Sequence, residues 1–339
     1  MTRRALVTGA LVILVASLMA APRSARCREV RLAADLESPR SLVLAWCPEV
    51  ADVLLAMAAA APPGVQVMLL VAPRAVPAAQ YTFRSAGLRV RVIEMPVRTP
   101  WVRDYGPQPI VTSDGEVVFL APRYDRRRPD EDRSPCLLAR ALGIPCRPLD
   151  LRLDGGNLIA RDGLCLSTPR LSEQNENLGE AELRARLAQE LGCRHSLFLP
   201  RLRGEPTGHV DVMVSFVAGR VVVAEAAASA PRDAGLLEAV ADRLLAELSA
   251  DGPPRPLVRV PLVRDERQRP LSYAQLLRVG ARLLVPDYVD RNSLPRVREA
   301  QQTAFERLRR EFDGLTIVPI PLAGQRDLAG GVHCYGLVL

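Results

Sequence analysis

The 339-residue chain is 48% hydrophobic, enough to bury a sizeable core, which excludes a disordered or low-complexity protein. Its formal charge of +7 comes entirely from arginine, since no lysine occurs. The arginines are dispersed, with no aromatic-interleaved basic stripe, so a solvated basic surface is favoured over a nucleic-acid-binding one.

Arg3-Arg4 and the apolar run over 5–21, broken only by Thr8, Gly9 and Ser17, have the charged flank and apolar middle of an export signal. The run is close to the ~20 residues that span a membrane, and Pro22 follows the small Ala20-Ala21 pair where a cleavage site would fall. Residues 1–26 are therefore expected to be either a cleaved signal peptide or an uncleaved anchor, with the protein exported to the periplasm or beyond. Membrane contact is expected only through that segment. No long linker interrupts 27–339, which reads as a single catalytic domain. Apart from Cys27 and Cys334, five cysteines remain: Cys47, Cys136, Cys146, Cys165 and Cys193. An exported protein can form disulfides, and Cys136 with Cys146 would close a short loop, although spacing alone does not fix connectivity. No cysteine–histidine group has zinc-ligand spacing.

Strand-like and helix-like segments alternate from there on. Strands are predicted over 41–46, 65–71 and 88–93, with a helix over 51–61 that Pro62-Pro63-Gly64 ends. Ser113-Asp114-Gly115 introduces a hairpin strand over 116–120. Amphipathic helices are predicted over 180–191, 233–249 and 297–312. Strands over 210–217 and 220–224 pair across Ala218-Gly219. The segment 271–279 reads as helical, and 282–285 and 315–320 as strands. A strand followed by a short polar or glycine turn recurs at Asp104-Tyr105-Gly106, Asp154-Gly155-Gly156-Asn157, Gly208-His209, Pro286-Asp287 and Gly330 to Cys334. Five such units with their turns on one axis would explain why the polar motifs lie so far apart in sequence.

Several of these turns carry chemistry. On a strand, His209 and Asp211 would share a face, and such a pair suits acid–base work; the carboxylate could hold the imidazole or meet a substrate itself. Asp104 follows Trp101, and a carboxylate beside an indole suits a planar cation; the plainer alternative is a surface Arg103–Asp104 pair in a turn. On a strand, Trp101, Arg103 and Tyr105 would take one face and Val102 and Asp104 the other. Asp154-Gly155-Gly156-Asn157, taken alone, is a turn. Cys334 follows a glycine pair and His333. It is either one more buried cysteine or a nucleophile whose thiol is activated by His333 or the distant His209. His195 receives no role.

The stretches WVRDYGP (101–107), DGGNL (154–158), LCLST (164–168), GEPTGHVDVMVSF (204–216), SYAQ (272–275) with VP (285–286), and GGVHC (330–334) stand in one order along the chain. In them the chain resembles the agmatine deiminase and Porphyromonas-type peptidylarginine deiminase family of the guanidino-group-modifying (pentein) superfamily. The resemblance implies an α/β fold, a five-bladed propeller of ββαβ units with its active site on the pseudo-fivefold axis. It implies that Asp104 and Asp211 clamp a guanidinium and that Cys334 attacks its central carbon. His209 would protonate the departing ammonia and then activate water. Trp101, Arg103, Asp154, Gly155, Gly156, Asn157 and Gly331 are expected around the substrate, and the chemistry requires no metal or organic cofactor. The family's SYxN segment has Gln275 in place of asparagine here, and a second asparagine is replaced by Gly280; both positions are expected near the substrate. Agmatine and peptidyl-arginine are the rival substrates, and export favours the second. Alternatives are an amidinotransferase or dihydrolase on the same fold, or a guanidinium-binding exported protein without activity, against which Cys334 speaks.

Overall fold

Five small sheets account for the strand–helix alternation, and four of them repeat one pattern. The computed structural model describes residues 30–32, 39–124, 128–249, 256–324 and 330–339; the segment read as a leader over 1–26 lies outside the described residues. In each unit two strands form an antiparallel hairpin, a helix follows, and a third strand returns parallel to the second.

The first such unit comprises Gln108–Val111, Val117–Arg123, the helix Ser134–Leu142 and Cys146–Arg152, with Arg31–Leu32 added at its edge. The second comprises Ile159–Arg161, Leu164–Ser167, the helix Glu180–Leu191 and His195–Phe198. The third comprises Val214–Val217, Arg220–Ala226, the helix Ala234–Ser249 and Leu257–Arg264, extended by Pro270–Ser272. The fourth comprises Leu277–Val279, Arg282–Asp287, the helix Pro295–Glu311 and Thr316–Pro321.

The fifth unit is assembled from distant parts of the chain. Leu337–Val338 pairs antiparallel with Ser41–Ala45, the helix Ala51–Ala59 follows, and Gln66–Val71 runs parallel to Ser41–Ala45. A further helix, Val76–Ser85, leads to Arg91–Glu94 at the outer edge. Leu339 O accepts hydrogen bonds from Arg40 N at 2.7 Å and Ser41 N at 2.8 Å, so the last residues close the ring. This is the five-bladed α/β propeller.

Each element has a physical origin in the sequence. Ser41–Ala45 is buried at every position, as expected of a strand covered on both faces. The helix Pro295–Glu311 starts on proline and buries Val297, Ala300, Ala304, Phe305 and Leu308, one stripe at helical spacing, while its charged face meets solvent. Cys136–Cys146 ties a helix to the following strand of the first unit, and Cys165–Cys193 closes the second unit. Among the described residues no helix is long and apolar enough to cross a membrane.

Three expectations are corrected. The segment 271–279 is not helical: Pro270–Ser272 and Leu277–Val279 are strands of different sheets joined by a turn. An apolar run this short has no period that separates strand from helix. The strand expected over 210–217 begins only at Val214, because Val210–Val212 forms a 3₁₀ turn. Gly280 occupies the hairpin between Leu277–Val279 and Arg282–Asp287 with φ +60°, where glycine is favoured, and its nearest neighbour is Pro62 rather than a pocket. The helices Val76–Ser85 and Ser134–Leu142 and the strand Cys146–Arg152 were not legible as elements.

Candidate active site

Just before the first strand of every unit the backbone makes one tight turn, and the five turns meet on the axis. They are Val102–Tyr105, Gly155–Asn157, Val210–Val212, the turn at 273–275 and Val332–Tyr335. The fourth is therefore Tyr273-Ala274-Gln275; Pro286-Asp287 instead ends the strand Arg282–Asp287. Because four of these are helical turns and the one at 273–275 is a plain turn, strand alternation does not decide which side chains converge. Gly106 follows the first turn, and a Cβ there would lie 2.3 Å from Val102 O, which restricts that position to glycine.

The turns gather Asp104, Asp154, His209, Asp211, Gln275, His333 and Cys334, each less than a tenth exposed. Asp211 Oδ2 lies 3.9 Å from Cys334 Sγ and 2.8 Å from His333 Nδ1. Gln275 Nε2 donates toward Cys334 Sγ at 3.5 Å. His209 is held between carboxylates: its Nε2 is 3.0 Å from Asp154 Oδ2 and its Nδ1 is 3.6 Å from Asp104 Oδ1. Asp104 Oδ1 also accepts the Gly156 N–H at 3.2 Å. A Cβ on Gly156 would lie 2.6 Å from Asp104, 2.8 Å from His209 and 2.9 Å from Asp211, so only glycine allows the three side chains to approach. One oxygen of Asp211 and one of Asp154 are buried without a hydrogen-bond partner among the described residues. A buried anionic oxygen in that state calls for a cationic or hydrogen-bonding ligand.

A cavity of about 580 Å³ opens onto this cluster. Asp104, Asp154, His209, Gln275 and Cys334 line it, together with Trp101, Tyr124, Arg128 and Glu205. The Arg128 guanidinium stacks 5.4 Å from the Trp101 ring centre and 5.1 Å from that of Tyr124. Glu205 caps its own turn, accepting from Thr207 Oγ1 at 2.7 Å and from Gly208 N.

The other residues expected around a substrate are distributed as follows. Trp101 lines the cavity, whereas Arg103, its neighbour on the same turn, lines a different cavity at the opposite end of the axis. Asn157 is fully buried and faces protein: its Oδ1 accepts from Thr168 Oγ1 at 3.0 Å and Val210 N at 3.2 Å, joining two turns. Gly155 packs on Arg103 O and Gly331 on the Gln275 side chain, both as close backbone approaches. Asp154 faces His209 and also accepts from Arg170 Nε at 2.7 Å and Gln174 Nε2 at 3.0 Å, which marks it as the group that orients the imidazole. Neither this nor the pairing of His333 with Asp211 had a signal in the sequence, because Asp-Gly-Gly reads as a turn and each contact crosses between units.

The electrostatics follow from packing three carboxylates into a water-poor site. Burial raises the Asp104 pKa to about 7; His209 opposes this, and Asp211 and Asp154 add to it. Burial alone would keep His209 neutral, but Asp104, Asp154 and Asp211 outweigh it and raise its pKa to about 9. Asp154 is held at about 2 by His209 and Arg170 in spite of burial. Burial first, then Asp211 and Asp104, push the Cys334 thiol well above its ordinary value. The site therefore combines a charged imidazole with a neutral thiol facing carboxylate oxygens. A cation placed between those oxygens would remove the electrostatic resistance to a thiolate.

Residues 37–337 match the sequence profile of a family described as Porphyromonas-type peptidyl-arginine deiminase. A crystal structure assigned as a peptidyl-arginine deiminase superimposes with a TM-score of 0.78 at 18% identity, covering 92% of this chain and 98% of that one. An agmatine deiminase of Enterococcus faecalis gives 0.76 at 17% identity over 91% and 95% of the two chains. One from C. jejuni gives 0.74 at 18% identity over the same shares. At such identities the superpositions show a shared fold.

Proposed function

The chain belongs to the Porphyromonas-type peptidyl-arginine deiminase family, hydrolases acting on C–N bonds, and from that premise we propose that it converts an arginine-type guanidinium to a ureido group and ammonia through a covalent bond to Cys334. The observation that carries this reading is the meeting of one thiol, one imidazole and the Asp104 carboxylate on the wall of a single cavity, with the buried Asp211 carboxylate 3.9 Å from the thiol, all drawn from three separate turns.

A guanidinium entering the cavity pairs with Asp104 and with the unpartnered oxygen of Asp211 in charge-assisted hydrogen bonds. Trp101 supplies an aromatic wall for the planar cation. With both carboxylates neutralised, the thiol releases its proton to solvent and the thiolate attacks the central carbon. A C–S bond forms, the tetrahedral centre collapses, and one C–N bond breaks as the His209 imidazolium gives its proton to the leaving nitrogen. Ammonia departs and an S-alkyl amidinium remains on Cys334. His209, now neutral, takes a proton from water as the water adds to the same carbon. The C–S bond then breaks, which restores the cysteine and leaves the oxygen on the product. Asp154 touches neither reacting atom; it positions His209 and holds it in its charged form.

The two disulfides support export, because such bonds persist in oxidising compartments. That supports an extracytoplasmic guanidine, and peptidyl-arginine ahead of agmatine. The test is ammonia release measured in parallel on agmatine, free arginine and a blocked arginine peptide, with Cys334→Ala as control. Release that depends on Cys334, greatest on the peptide, is expected. Cys334-independent release, or transfer of the amidino group to an added amine with no ammonia formed, would count against a deiminase.

A further inference from the structure

Back to back with the Cys334 cavity lies a second one of about 400 Å³ at the opposite end of the axis. Successive residues of the axial turns divide between the two: Asp104 and Cys334 face the first, Arg103 and His333 the second. Their charge balance differs. The first sets Asp104, Asp154 and Glu205 among Arg128, Arg170 and Arg269, whereas among the described residues the second is lined by Arg31, Arg103, Arg161 and Arg278 with one carboxylate, Asp162. Asp162 pairs with Arg161 but is largely exposed, with 76% of its side chain open, so solvent weakens that pair.

The side chains are fixed in place. Arg161 Nε lies 3.1 Å from Asp162 Oδ2, and Arg278 Nε donates to Gly280 O at 2.9 Å, a contact that orients the guanidinium without neutralising it. The Gly219 position, also on the wall, lies against Arg161 Nη2, so Arg161 reaches along the cavity rather than away from it. Independently, Ser215 lines the same cavity at 6% exposure, and its hydroxyl has no hydrogen-bond partner among the described residues. A buried hydroxyl left without a partner is costly. Arginine forks in a concave, partly water-excluded setting match the geometry of oxyanions.

We propose that this second cavity is a binding site for a small oxyanion-bearing ligand, a carboxylate or phosphate, gripped by Arg161 and Arg278 and met by the Ser215 hydroxyl. The site is distinct from the cavity assigned to the guanidine, where Asp104, Asp154 and Glu205 stand among Arg128, Arg170 and Arg269 and offset their charge. It does not depend on which guanidine is turned over, or on turnover at all.

Isothermal titration of the full-length protein with inorganic pyrophosphate, and separately with citrate, tests it at low ionic strength. Saturable one-site binding of at least one probe is expected. In the Arg161→Gln/Arg278→Gln double variant it should weaken by about tenfold or more, the loss of charge-assisted hydrogen bonds. Ser215→Ala should weaken it less. Arg147→Gln, on the outer surface beside Glu190 at 3.4 Å, should bind like the parent, as should protein alkylated at Cys334. Preference for pyrophosphate or for citrate names the phosphate or the carboxylate source. Thermal unfolding of each variant verifies the fold; should the double variant be unfolded, the single variants Arg161→Gln and Ser215→Ala carry the comparison. No saturable binding of either probe, loss on Cys334 alkylation, or equal weakening by Arg147→Gln would overturn the proposal.

Discussion

Asp154 shows how one residue sets the state of another. Its carboxylate is the partner of His209 Nε2, and together with Asp104 it keeps the imidazole charged up to about pH 9. Asp104 must be anionic to clamp a cation, and burial delays that until about pH 7. The proposed mechanism needs Asp104 deprotonated and His209 protonated at once. The free-enzyme profile of kcat/KM should therefore rise through about pH 7 and fall through about pH 9, a bell whose limbs belong to the coupled cluster. In Asp154→Asn the anion that raises His209 is gone, so its pKa falls and the alkaline limb should move to lower pH. The acid limb should stay near its place. A profile that loses height without any shift of the alkaline limb would show that Asp154 does not hold the charged imidazole. At this scale the sequence singled out Cys334 and His209 as candidates because their residue types are scarce, and Asp104 and Asp211 through the motifs that hold them. Asp154 was legible only as part of a turn, Gln275 only as a departure, and Arg103 and Asn157 were expected at the substrate but face elsewhere. Direction is set by neighbouring turns, which local spacing does not encode.

Elements hold these residues where single side chains cannot. Arg264 ends the strand Leu257–Arg264 at 1% exposure, pairing with Asp233 through Nε at 2.7 Å and Nη2 at 2.8 Å. It also donates to Gln268 O at 2.6 Å and Arg203 O at 2.7 Å. One side chain thus joins a strand end, a helix start and the loop that leads toward Glu205 and His209. Removing it strands the buried Asp233, and Arg264→Ala should cost about 3–5 kcal/mol in denaturant unfolding; a cost below about 1 kcal/mol would place it among ordinary surface pairs. The long amphipathic helices were legible because a buried stripe at helical spacing is a strong signal. The segments at 210–217 and 271–279 were misread for a common reason. Both cross the axis, where apolar residues belong to a buried turn and carry neither the strand nor the helix period.

At the scale of the whole molecule the ring depends on its last residues. Leu337–Val338 is the first strand of the unit that Ser41–Ala45 continues, and it begins three residues after Cys334. Deletion of residues 337–339 should therefore lower the thermal midpoint and slow Cys334 alkylation together, since the Val332–Tyr335 turn loses its anchor; an unchanged midpoint would contradict closure through this strand. The alternation of strands and helices was legible, and the recurring polar turns hinted at five units. The propeller itself was implied only by resemblance, because the units share geometry without a repeated sequence and the fifth is split between the two ends.

In the proposed mechanism a cation between Asp104 and Asp211 converts an otherwise resistant thiol into a nucleophile. The most direct measurement compares alkylation of Cys334 by chloroacetamidine and by chloroacetamide, near-isosteric reagents that differ in charge. The amidinium reagent should react faster by orders of magnitude, and Asp211→Asn should remove most of the difference. Equal rates for the two reagents in the parent protein would contradict it.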